Sequence, residues 1–132
     1  MKSRDALIRL RRFEVDEKRR KVADIEAMIN DFNQMAADLD RQIAIEQERA
    51  GVSDVNHYAY PTFAKAAIQR RNNLQNSIGD LEAKLASARA EFHEANEELR
   101  KIELLEARDA ERIKLEQGRT PDIVAVQRRA AS

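Results

Sequence analysis

The chain has no cysteine and no tryptophan, and only three glycines, two prolines and two histidines among 132 residues. Without cysteine there is no disulfide framework and no thiolate zinc site. With so little glycine and proline, few positions oblige a helix to stop. No apolar run approaches the roughly 20 residues of a membrane span, so direct membrane insertion is not expected. The opening MKSRDALIRLRRF is basic but has no apolar h-region, so no secretory leader is expected. Asp5, Glu14, Asp16 and Glu17 also set it apart from an acid-poor transit peptide. Neither charge sign dominates, with 24 basic against 24 acidic side chains, so bulk attraction to nucleic acid is not favoured. Phosphate-binding glycine loops, nucleophile elbows and zinc-binding helix motifs are all missing, and no enzyme is expected.

What is there is charge and rhythm. Charged residues make up 36% of the chain. From Ile8, every seventh residue is apolar: Ile8, Val15, Val22, Ile29, Ala36, Ile43 and Ala50. A second line adds Ile25, Phe32 and Leu39. The pattern breaks between Gly51 and Pro61, then resumes with Leu74, Ile78, Leu81, Leu85, Ala88, Phe92, Ala95, Leu99 and Ile102. Spacing of three and four residues sustained this long predicts coiled coil. Two such helices around a short break predict an all-α fold, an antiparallel coiled-coil hairpin. Its narrow form leaves no interior for an active-site pocket, so the expected work is protein–protein contact.

The boundaries follow from capping chemistry. Helix 1 is predicted over about residues 3–50, with Ser3 as N-cap and Gly51 as the residue that ends it. Residues 51–60 form the loop. Helix 2 is predicted over about 61–117, with Pro61 as its first residue and Gly79 as a weak internal point. Gly118 and Pro121 are expected to end it, leaving 118–132 as a flexible tail.

The pairing is predicted from the requirement that small residues face large ones. It sets Ile43 against Leu74, Leu39 against Ile78, Ile25 against Phe92 and Val15 against Ile102. Glu46 then meets Arg71, and Arg11 meets Glu106. A slip of one heptad is rejected because it puts Leu39 on Arg71 and Arg11 on Leu99. Each buried large apolar residue contributes roughly 1.5–3 kcal/mol. Exposed ion pairs contribute about 1 kcal/mol at most. The end carrying both termini, with Arg4, Arg11 and Lys18 at seam positions, is therefore expected to be weakly zipped.

Two clusters are candidate contact sites. Residues 1–21 carry nine basic side chains against four acids, whereas the next stretch to Tyr60 carries two against eight. Arg4, Arg9, Arg11 and Arg12 form the basic candidate, set against the plainer reading of a solvated helix face. The loop gathers both tyrosines with Phe63, Val52 and Val55. Tyr58, Tyr60 and Phe63 are the aromatic candidate, because aromatics with a polar handle anchor interfaces. The plainer reading is that the loop caps the apolar end of the seam. His93 with Glu94 and Glu97 is weighed as a metal face and set aside, and no metal or cofactor is expected. The clusters Arg19–Lys21 and Arg70–Arg71 have no stacking aromatics or groove-reading motif beside them, so no nucleic-acid partner is expected.

SRDALIRLRRFEVDEKRRKVADIE at the N-terminus and GVSDVNHYAYPTFAKAAIQRRNNL in mid-chain resemble the flagellar export protein FliJ in its alphaproteobacterial form. The Tyr60-Pro61-Thr62-Phe63-Ala64-Lys65 loop exit is the least generic part of that resemblance, which extends to about Gln117. It implies an antiparallel coiled coil in the cytoplasm, peripherally associated with the inner-membrane type III export apparatus. It implies three partners: the export ATPase ring, the membrane export gate and export chaperones. On the resemblance, Arg4, Arg9, Arg11 and Arg12 lie near the ATPase, and Tyr58, Tyr60 and Phe63 serve the gate or chaperone side. The competing expectation is a generic coiled-coil scaffold, with two hairpins joined as a four-helix homodimer.

Overall fold

The computed structural model describes the backbone of residues 2–131 and the side chains of residues 3–118. It consists of two α-helices, α1 (Lys2–Ala50) and α2 (Thr62–Ala131), with no strand among the described residues. The helices pack against each other as an all-α hairpin, as the heptads predict.

The stop of α1 has a definite cause. Gly51 takes φ 68°, a left-handed conformation that costs glycine little and a side-chain-bearing residue more. Its N–H donates to Glu48 O at 3.3 Å, and Val52 N–H donates to Gln47 O at 3.3 Å. That pair of bonds is a Schellman cap, which satisfies carbonyls the helix end would otherwise orphan. The loop is then held by its own short-range bonds. His57 N–H donates to Asp54 O and Tyr60 N–H to His57 O, each at 3.0 Å. Asn56 N–H donates to the Asp54 carboxylate, and Ala59 N–H to His57 Nδ1. Pro61 O accepts from Lys65 N–H, so Pro61 caps α2 and Thr62 is the first helical residue.

Two expected ends shift. Ser3 lies inside α1, which begins at Lys2. Gly118 lacks the positive φ of a helix-ending glycine, and α2 continues past it and past Pro121 to Ala131. The flexible tail expected over 118–132 falls on residues whose side chains, beyond Gly118, lie outside the described set.

The chain divides into two compact units, a terminal unit (Met1–Glu17 with His93–Ser132) and a loop unit (Lys18–Phe92). In the loop unit, Ile25, Leu81, Leu85 and Ala88 form one buried cluster, joined by Val22, Ile29 and Phe32. A second cluster holds Leu39, Ile43 and Ala67 with Ile68 and Leu74. Ala64 and Ala67 are buried in the first turns of α2, a segment the sequence reading left outside the seam. Among the described residues of the terminal unit, Ile8, Val15 and Leu99 are buried.

These contacts correct the predicted pairing by one heptad. Arg71 pairs with Asp40 at 3.0 Å, not with Glu46, which pairs with Arg49. Glu106 pairs with Arg4, and Arg11 bonds Glu14 within its own helix. The rejected slip is the one that forms, because arginine is longer than the argument against it allowed. Arg71 and Arg11 lie half-buried, with Nε shielded from solvent, and their guanidinium tips still reach carboxylates. Burying an aliphatic stem while the charged head finds a partner at the rim makes arginine tolerable at a seam position.

Candidate protein-binding surfaces

The four arginines of the basic candidate do different things. Arg4 hydrogen-bonds Asp109 and pairs with Glu106 at 3.5 Å. That bond, followed by the attraction of both carboxylates, raises the Arg4 pKa, while partial desolvation opposes the rise. The same bond holds the Asp109 carboxyl below the usual carboxylate range. Arg11 donates to Glu14 at 3.0 Å and packs half-buried. Arg4 therefore ties α1 to α2 and Arg11 is occupied within α1, so both have little left to offer a partner. Arg12 donates to Glu103 at 3.1 Å but remains largely exposed. Arg9 is exposed and makes no ion pair among the described residues. Only Arg9 and Arg12 present charge outward.

The arginines share this unit with an apolar surface that sequence reasoning missed. Leu7, Leu10 and Phe13 on α1 are exposed, as are Leu104, Leu105, Ile113 and Leu115 on α2. Leu7 and Leu105 line a shallow groove of about 310 Å³ with Ser3, Arg4 and Ile102. The signal was present in ALIRLRRF, which holds more apolar residues than one heptad seam uses. Leu7 and Leu105 are the exposed pair that this groove brings together, and contiguous exposed apolar side chains mark a contact site more often than scattered ones do.

The aromatic candidate also separates. Tyr60 is 5% exposed, and its hydroxyl accepts a hydrogen bond from Gln47 Nε2 at 2.9 Å, tying the loop back to α1. It caps the seam, as the plainer reading expected. Tyr58 is 96% exposed and stacks on His57 with ring centroids 4.6 Å apart. Phe63 is 57% exposed, and Val55 is exposed as well. Tyr58 and Phe63 thus remain free to meet a partner, and Tyr60 does not.

Within the loop unit, Lys18 and Lys21 both reach Glu91, at 3.1 and 3.4 Å. The hydrogen bond from Lys18 and the nearby positive charges hold the Glu91 carboxyl below its ordinary range. Arg19 lies over the ring of Phe92 at 5.6 Å, a cation–π contact that accounts for one of the basic cluster's side chains. No group of three His, Cys, Asp or Glu is gathered as a metal-ligand set among the described residues. Among those residues no helix is long and apolar enough to cross a membrane. Compared with known proteins, the chain matches no family model, no curated protein and no solved structure.

Proposed function

We propose that this hairpin is a non-catalytic coupling element of the FliJ type, which docks on a flagellar export ATPase through its terminal unit and on the export gate or export chaperones through its loop. The observation that carries the reading is the terminal unit's surface, where exposed Leu7, Leu10, Phe13, Leu104 and Leu105 accompany the outward charges of Arg9 and Arg12. Exposed apolar side chains together with outward arginine charge suit a contact that is steered by charge and sealed by burial. Exposed Tyr58 and Phe63 give the loop a separate anchor. On this reading the protein works in the cytoplasm, at the inner face of the membrane export apparatus, without entering the bilayer.

The test is sedimentation velocity with the cognate export ATPase, with and without a non-hydrolysable nucleotide, alongside ATP turnover. The expected result is one hairpin bound to a ring of ATPase subunits, with faster turnover. Arg9→Glu with Arg12→Glu should weaken that complex about tenfold and reduce its salt dependence. No complex, together with a stable homodimer of the chain alone, would replace this reading with the scaffold.

A further inference from the structure

The loop unit has two unlike faces. On one, the helices are stitched together: Glu26 pairs with Arg89 at 3.6 Å and Asp40 with Arg71 at 3.0 Å. On the other, Lys21 reaches Glu91 at 3.4 Å near one end, and the helices flank a groove. Met35, Asp38, Leu39 and Gln42 of α1 line one stretch of it with Arg70, Asn73 and Leu74 of α2, enclosing about 410 Å³. Lys21 and Ile25 line another stretch with Ala83, Lys84 and Ser87. Heptad spacing joins the two stretches. Lys21, Met28, Met35 and Gln42 lie seven residues apart on one line of α1. They run about 32 Å at 1.5 Å per residue. On α2, Arg70 and Lys84 share a line with Ser77 between them.

Some of the charges along this groove are engaged, Lys21 by Glu91 at 3.4 Å, and others are not. Asp24, Asp31 and Asp38 form the α1 rim, again seven residues apart. Asp38 is engaged by Arg41 of its own helix. Asp24 and Asp31 have no ion partner among the described residues, nor have Arg70 and Lys84, which outnumber the one acid, Asp80, on the α2 rim. The floor is apolar and soft, with Met28 and Met35 exposed, and methionine adapts its shape to a docked surface.

We infer that this groove receives an amphipathic helix of a partner protein, with lysine or arginine along one edge and glutamate or aspartate along the other. The basic edge lies on the aspartate rim, the acidic edge lies on Arg70 and Lys84, and an apolar stripe covers the methionines. A third helix laid between two others follows the helix-in-groove mode, with heptad spacing matched on both sides. The inference rests on the groove alone and does not depend on the export reading.

The experiment uses the full chain and three synthetic three-heptad helices that share a leucine stripe, titrated by fluorescence anisotropy. One has a lysine edge and a glutamate edge, one has lysine on both edges, and one has glutamate on both. The mixed-edge helix should bind about tenfold tighter than either uniform helix, because each uniform helix sets like charges against one rim. Met35→Glu should weaken it by a similar factor. Asp24→Lys with Asp31→Lys makes both rims basic and should move the preference to the all-glutamate helix, with the circular-dichroism melt unchanged. Equal affinities for the three helices, or no binding by any, would overturn the proposal. So would self-association of the chain that Met35→Glu abolishes, which would assign the groove to a second copy.

Discussion

The loop unit and the terminal unit obey the same heptad rule and use their side chains differently. The loop unit buries two apolar clusters, Ile25–Leu81–Leu85–Ala88 and Leu39–Ile43–Ala67, and closes its open end with Tyr60. The terminal unit buries Ile8, Val15 and Leu99, relies on Arg4 with Asp109 and Arg12 with Glu103 across the helices, and leaves leucines outside. Burial of apolar area is the larger stabilising term, and exposed ion pairs contribute little. The larger share of buried apolar area therefore lies in the loop unit, and the exposed leucines lie in the terminal one.

The sharpest test of the contrast is to remove equivalent leucines. Leu85→Ala should cost about 2–4 kcal/mol of global stability in urea denaturation, because it empties the larger cluster. Leu99→Ala should act locally, accelerating amide exchange over 4–12 while Ile25–Leu39 remain protected. Equal global losses from both variants would dissolve the distinction between the units. The loop gives the next effect. Tyr60→Phe removes the bond from Gln47 and should cost about 1 kcal/mol. Tyr58→Ala, at a side chain almost wholly in water, should leave the melt where it is. If Tyr58→Ala destabilised as much as Tyr60→Phe, the division between cap and anchor would fail.

Gly79 provides a change of opposite sign. It sits within continuous α2, and a Cβ there meets nothing within 4 Å. Gly79→Ala should stabilise the loop unit by about 0.5–1 kcal/mol, read from the same denaturation curves. The smallest effect is acid sensitivity. Asp109 has a lowered folded pKa, so its contribution is present above the unfolded aspartate value of about 4 and is lost as pH falls through the lowered value. Amide exchange over 4–12 should therefore rise below about pH 4, and Asp109→Asn should abolish that rise without moving the loop unit.

The fold class and the stop at Gly51 were legible in the sequence because heptad spacing and a left-handed glycine are local signals. The register was not. Small-against-large layering left neighbouring registers close in merit, and the choice turned on treating Arg71 and Arg11 as bare charges. Their stems made the difference, which no hydropathy pattern reports. Ala64 and Ala67 were overlooked because alanine carries little apolar weight, although close helix approach depends on small residues. At the candidate sites, residue types were readable and commitments were not. Nothing in the order of letters says that Arg4 is occupied by Asp109 while Arg9 is free, or that one tyrosine faces inward and the other outward.

The Schellman cap at Gly51 also sets the order in which the hairpin closes. By fixing where α1 stops, it places Ile43 and Ala67 within reach across a short connection, and Asp40 meets Arg71 only 31 residues away along the chain. Arg4 and Asp109 are separated by 105 residues. The entropy of closing a loop rises with its length, and local contacts form first. Zipping therefore starts beside the turn and proceeds toward the ends, each layer shortening the loop that the next one has to close. On the ribosome, α1 waits for α2 to emerge, and Ile8, far from the turn and buried in the hairpin, is among the last apolar residues to gain neighbours. The apolar side chains farthest from the turn thus wait longest for cover.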